Sequence, residues 1–108
     1  MRKGEIWSVA IPGTNGHEQS GMRPVIVLSQ VEANIVMIVP FTSNLHALRF
    51  PHTINVHQTE ENGLTQESVA LTFQLRAIDQ KRLKKKIGSL NQEIMNKIDV
   101  MIRDILKL

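Results

Sequence analysis

Two short runs constrain the fold more than any other feature. Residues 25 to 29 read VIVLS, and residues 35 to 39 read IVMIV. Both are apolar, rich in β-branched residues, and too short to form a helix. Runs of this kind are strands buried on both faces. A turn through Glu32 to Asn34 joins them, and Pro40 is expected to end the second. Residues 5 to 11 (EIWSVAI) alternate instead, with Trp7, Val9 and Ile11 on one face, as in a half-buried strand. A short alternating strand follows over residues 53 to 57 (TINVH), with Ile54 and Val56 inward. Asn62–Gly63 marks a turn. A last strand is expected over residues 68 to 76 (SVALTFQLR), with Val69, Leu71, Phe73 and Leu75 on one face. Residues 45 to 52 read as an irregular connection.

The C-terminal segment changes period. Ile94, Ile98, Met101, Ile102 and Ile105 recur every three or four residues, which predicts an amphipathic helix from about Asn91 to Leu106. Asn91 suits the N-cap and Glu93 the first turn, while Ser89 and Gln92 offer a competing capping box. The apolar stripe is expected to pack on the sheet. The whole is mainly β with a C-terminal helix. Short strands in succession favour an antiparallel, partly closed barrel or a strongly twisted sheet.

The chain has 108 residues, 42% of them apolar, which fits one domain with a modest core. It contains no cysteine, so neither a disulfide scaffold nor a thiolate metal site is available. No apolar stretch is long enough to span a bilayer, and the N-terminus lacks the apolar core of a signal peptide. A cytoplasmic location is the expectation. The net charge is +3, and five of the thirteen basic residues (Lys81, Arg82, Lys84, Lys85 and Lys86) fall within six positions. Such a run either attracts a polyanion or is a solvated turn.

Arg23 stands at the mouth of the first buried strand, after the polar segment PGTNGHEQSG at residues 12 to 21. Pro24 holds Arg23 extended. A guanidinium so placed can donate two parallel hydrogen bonds to a phosphate, or it can pair with Glu18 on the surface. Thr42 and Ser43 lie just past the second buried strand, where hydroxyls either meet a phosphate or cap a turn. Gln74, Arg76, Asp79 and Arg82 form a polar series. Asp79 and Arg82 read as structural ion-pairing groups, and Gln74 and Arg76 as possible ligand contacts. The histidines His17, His46, His52 and His57 have no metal-binding spacing, and no metal or other cofactor is expected. There is no Gly-rich phosphate loop and no nucleophile elbow.

These parts together resemble the MazF/PemK family, the toxins of type II toxin–antitoxin pairs. The likeness rests on GEIWSVAI (4 to 11), GHEQSGMRPVIVLS (16 to 29), VPFTSN (39 to 44), LRFPHTINV (48 to 56) and GLTQESVALTFQLRAIDQKRLKKKIGSL (63 to 90). It covers nearly the whole chain. The resemblance implies a small, SH3-like curved antiparallel β-barrel, related to CcdB, that forms a homodimer. It implies a metal-independent ribonuclease acting on single-stranded RNA to leave a 2′,3′-cyclic phosphate and a 5′-hydroxyl. Arg23 would be the catalytic arginine and Thr42 its partner. His17, Glu18, Gln19, Ser43, Asn44, Gln74, Arg76, Lys84, Lys85 and Lys86 would bind RNA. Aromatic residues are only 4% of the chain, so base choice would lean on hydrogen bonds rather than stacking. A separate, acidic antitoxin is the expected protein partner. The competing reading is a non-enzymatic module of the same fold, such as a CcdB-like gyrase inhibitor. Such inhibitors act through a C-terminal tryptophan, whereas this chain ends IRDILKL and has its only tryptophan at position 7.

Overall fold

A computed structural model describes residues 1–11 and 21–108. Seven strands are present: β1 (Glu5–Ile11), β2 (Gly21–Glu32), β3 (Ile35–Thr42), β4 (Thr53–Val56), β5 (Ser68–Leu71), β6 (Arg76–Asp79) and β7 (Leu83–Ser89). One helix, α1 (Gln92–Leu106), ends the fold. Every strand pairing is antiparallel, and the hydrogen-bonded order is β4-β5-β3-β2-β1-β7, with β6 also on β3.

The two buried runs form the centre of the sheet. Their alternation sends side chains into two separate cores. Val25, Val27, Val36 and Ile38 point to one face, where Val9, Ile78, Leu83 and the flank of Trp7 join them. Ile26, Val39 and Phe41 point to the other, where they meet Ile6, Val56, Leu64 and the apolar side of α1. Met95 and Ile98 are the helix residues buried most deeply there. Burial of a side chain such as Ile98, fully hidden from solvent, contributes on the order of 2 kcal/mol. The expected cap is realised: the Asn91 side chain accepts from the backbone N–H of Ile94 at 2.8 Å. Two exposed contacts tie α1 to the rest of the chain, Lys3 Nζ to Asp99 at 3.0 Å and His52 Nε2 to Asp104 at 2.6 Å. The His52 contact holds the Asp104 carboxyl below its ordinary range.

Four expectations are corrected. First, β3 does not stop at Pro40. It runs on to Thr42, because Pro40 still pairs with Val25 of β2, and Phe41 and Thr42 then pair with Ala70 and Val69 of β5. Second, the last strand is not continuous. The segment Ser68–Asp79 follows β3 along one edge, but a three-residue 3-10 turn, Thr72–Gln74, splits it into β5 and β6. Phe73 is thereby turned to solvent rather than inward. Third, Lys84 to Lys86 are not in a turn but in β7, an edge strand on β1.

Fourth, the sheet curves without closing as a barrel. Among the described residues β4 and β7 do not pair, and the segment after β4 bridges them instead. The backbone N–H of Ser89 donates to the Glu61 carbonyl at 2.7 Å. Asn62, buried, accepts from the N–H groups of Thr59 and Leu64 and donates to the His57 carbonyl. Gly63 and Gly88 allow the two segments to touch. A Cβ on Gly88 would stand 2.3 Å from the Asn62 carbonyl carbon, and one on Gly63, at φ +68°, 1.9 Å from the Ile87 oxygen.

Candidate functional site

The proline pair shapes the site. Pro24 and Pro40 both lack an N–H, so neither can donate to the ladder at this end of the β2–β3 pair. The last paired residues are Val25 and Pro40. Beyond that pair the two strands take other partners: Arg23 pairs with Val9 of β1. Beyond Pro40, β3 pairs instead with β5 through Phe41 and Thr42.

Cavities open on both sides of that junction. The larger, about 600 Å³, is bordered by Ser8, Met22, Ser43, Asn44, the Gly63–Gln66 segment, Ser68 and Ile87. The smaller, about 170 Å³, is bordered by Val9, Val25, Pro40, Leu71, Gln74, Arg76 and Arg82. Arg23, Pro24, Phe41 and Thr42 line both. Arg23 is exposed and Thr42 half-buried.

The Thr42 hydroxyl accepts from the backbone N–H of Asn44 at 3.2 Å, and the Asn44 side chain accepts from that of His46 at 3.0 Å. Both side chains therefore cap the chain reversal into the 3-10 turn Leu45–Arg49. Capping and ligand contact are compatible for Thr42, because a hydroxyl that accepts still has its own proton to donate. In the larger cavity Ser8 donates to the Lys85 carbonyl at 3.3 Å and Ser68 to that of Gln66 at 3.0 Å. These bonds fix the wall and leave mainly neutral donors and acceptors facing the space.

The sequence-predicted residues divide accordingly. Arg23, Thr42, Ser43 and Asn44 come together at the larger cavity, and Gln74 and Arg76 at the smaller. Lys84, Lys85 and Lys86 border neither. Lys84 donates to the Lys81 carbonyl at 3.1 Å, and Lys86 pairs with Glu5 at 3.4 Å. Lys85 shares the sheet face of Ser8 through its register. The expected ion pairs of Asp79 with Arg76 or Arg82 do not form among the described residues. The Asp79 carboxylate instead accepts from the backbone N–H of Lys81 at 2.9 Å. Arg82 borders the smaller cavity, a place that its reading as a structural group did not anticipate. His17, Glu18 and Gln19 lie outside the described residues.

Glu5, nearly buried beside β7, accepts from Trp7 Nε1 at 2.9 Å. That bond, with the Arg2 backbone and Lys86, holds its carboxyl below the ordinary range against the opposing effect of burial. Among the described residues no three His, Asp or Glu side chains converge on a common point. No helix is long and apolar enough to cross a membrane.

Known proteins resemble this chain in sequence and in fold. A curated relative, "Endoribonuclease MazF" of Staphylococcus saprophyticus, is 27% identical over 110 residues, covering 94% of this chain and 91% of its own. The fold matches that of a crystal structure of MazE-MazF from Deinococcus radiodurans, with a TM-score of 0.76 and 21% identity over 98% of this chain and 95% of that one. It also matches an endoribonuclease in complex with its cognate antitoxin from a mycobacterial species, with a TM-score of 0.70 and 17% identity over 98% and 94%. The family model for the PemK-like, MazF-like toxins of type II toxin–antitoxin systems matches residues 2–106. A match over almost the entire length decides the affiliation: this chain belongs to the PemK-like, MazF-like toxin family.

Proposed function

We infer that this toxin is an endoribonuclease that cuts single-stranded RNA where its two cavities meet. The observation that carries the reading is that Arg23 and Thr42 both border both cavities, on the stretch of wall common to the two spaces. A phosphodiester seated there has room on either side for the strand to enter and leave.

The reaction is an internal transesterification. The ribose 2′-oxygen forms a bond to phosphorus and its proton passes to a base, while the bond from phosphorus to the 5′-oxygen breaks and that oxygen takes up a proton. The products are a 2′,3′-cyclic phosphate and a 5′-hydroxyl. Negative charge gathers on the non-bridging oxygens in between. Arg23, a permanent cation with a planar fork of donors, stabilises that charge, and the Thr42 O–H donates to the same oxygens. This chemistry needs no metal. The mainly neutral wall of the larger cavity suits hydrogen bonding to base edges.

Solved relatives are described with a cognate antitoxin or as MazE-MazF. By that likeness this chain has an antitoxin of its own, an acidic segment complementary to the arginines and acting in the cytoplasm, where the RNA is. Two copies of the chain pair. Leu45, Leu48, Phe50 and Phe73 are exposed, and the rings of Phe50 and Phe73 lie 5.7 Å apart, an apolar surface suited to such a contact. Sedimentation of the isolated toxin should give a dimer that Phe73→Asp weakens; a wild-type monomer at all concentrations refutes the pairing.

The decisive experiment is cleavage of a long single-stranded RNA in EDTA, with product ends mapped. Wild type should cut, and Arg23→Ala should lose at least about a hundredfold in rate. A folded, antitoxin-free wild type that cuts nothing would sink the nuclease reading.

A further inference from the structure

The smaller cavity is lined by three arginines, Arg23, Arg76 and Arg82. No carboxylate borders it among the described residues, and none lies within ion-pair distance of Arg76 or Arg82 there. The acid nearest to both in sequence is Asp79, between the two. Its carboxylate is committed to the backbone N–H of Lys81, at 2.9 Å. That bond also caps the 3-10 turn Gln80–Arg82, which is anchored at its far end by the buried Leu83. The acid therefore positions Arg82 and does not neutralise it. Arg82 is half-buried, which places its charge partly out of water.

Among the described residues, nothing offsets the charge of three arginines around about 170 Å³, and an anion entering that space would be attracted by all three. The volume equals that of about six waters, which admits a phosphate group with a little solvent. Gln74 adds a neutral amide to the same wall. Arg23 and Thr42 face both cavities, whereas Arg76 and Arg82 face only this one. A phosphate held by the latter pair is thus displaced from the one undergoing reaction, on the side away from the neutral cavity.

We propose that Arg76 and Arg82 form a second phosphate subsite, holding the phosphodiester adjacent to the one that Arg23 and Thr42 act on. The assignment rests on the RNA-cutting reading above. It gives the strand a polarity across the junction, with its backbone gripped on one side and its bases inspected on the other. Arg82 is a positioning residue in this scheme, not a catalytic one.

The test is binding of a fluorescein-labelled, single-stranded 2′-O-methyl RNA, which lacks the attacking hydroxyl, by anisotropy over a series of salt concentrations. Loss of one phosphate contact lowers the slope of log K against log salt by about 0.7. Arg82→Gln and Arg76→Gln should each show that loss, Arg82→Lys should keep most of the wild-type slope, and Lys97→Gln on α1 should match wild type. Thermal melts establish that each variant is folded. Inorganic phosphate is titrated in parallel while the arginine Nε–H signals are followed by NMR. Phosphate-induced shifts together with an unchanged RNA slope in Arg82→Gln would identify a free-anion site and overturn the backbone assignment. An unchanged slope in both glutamine variants overturns it outright, even if wild type cuts RNA. Wild type that shows the Arg82-dependent slope but cuts no unmodified RNA would keep the subsite and sink the nuclease. Wild type that binds no RNA would overturn both.

Discussion

The two cavities share Arg23, Pro24, Phe41 and Thr42, yet their remaining walls have little in common. The larger adds hydroxyls and amides, from Ser8, Ser43, Asn44, Thr65, Gln66 and Ser68. The smaller adds two arginines, a glutamine and apolar residues. The larger is closed by a loop pressed against β7, the smaller by a turn inserted between β5 and β6. A neutral wall distinguishes one hydrogen-bonding pattern from another. A cationic wall holds any phosphate. In the proposed scheme, that difference lets one junction divide two tasks, sequence preference and backbone grip, between its two sides.

The strongest way to break this division is to remove one wall. Gly88→Ala forces a Cβ into the Asn62 backbone, and the loop must retreat. We expect a loss of about 3 kcal/mol in urea denaturation. In the fraction that still folds, cutting should fall while the salt dependence of RNA binding stays near wild type. A milder change sharpens the contrast. Gln66→Ala removes a neutral group from the larger wall alone, so it should alter which sequences are cut by up to about tenfold, the worth of one hydrogen bond. Its salt slope should not move, and sequencing of the cut ends against a random RNA pool checks the preference. The smallest effect concerns support rather than contact. The Thr72 hydroxyl is fully buried and has no hydrogen-bond partner among the described residues, in the same turn that presents Gln74. Thr72→Val should raise stability by about 1 kcal/mol and leave cutting and salt dependence unchanged. A destabilised variant would show that the hydroxyl has a partner in solution.

The sequence made some of this legible for clear physical reasons. The buried runs in β2 and β3 and the stripe on α1 are imposed by burial, which leaves a period in the residues themselves. Asn91 announced its cap in the same way. β7 was hidden because only Leu83 is buried along it, while Lys84, Lys85 and Lys86 occupy positions that would otherwise alternate. An edge strand benefits from such charges, since they deter pairing with another chain, and the same charges erase the periodic signal. The break at Thr72–Gln74 was equally silent: SVALTFQLR alternates well, and both of its strands pair with β3, so that only the 3-10 turn divides it.

The site shows the same split. Arg23 and Thr42 were readable from their positions at two strand ends. The place of Arg82 at the smaller cavity was not, because Asp79 accepts from the backbone N–H of Lys81 instead of pairing with a side chain, a choice that spacing cannot decide. Ser8 and Ile87 come to the larger cavity on the paired strands β1 and β7, and Gln66 on the segment that closes against β7, all of them long-range placements.

The pairing of β1 with β7 has a consequence in time. The chain's first strand waits for almost its last, Glu5 for Ser89, before that side of the sheet exists. A nascent chain that has just passed Thr42 already carries the two residues assigned to chemistry. It has neither Arg76 and Arg82 nor the Ile87 wall. The order of synthesis therefore separates the parts: in the proposed scheme the residues assigned to chemistry are made well before those that complete the two cavities around them.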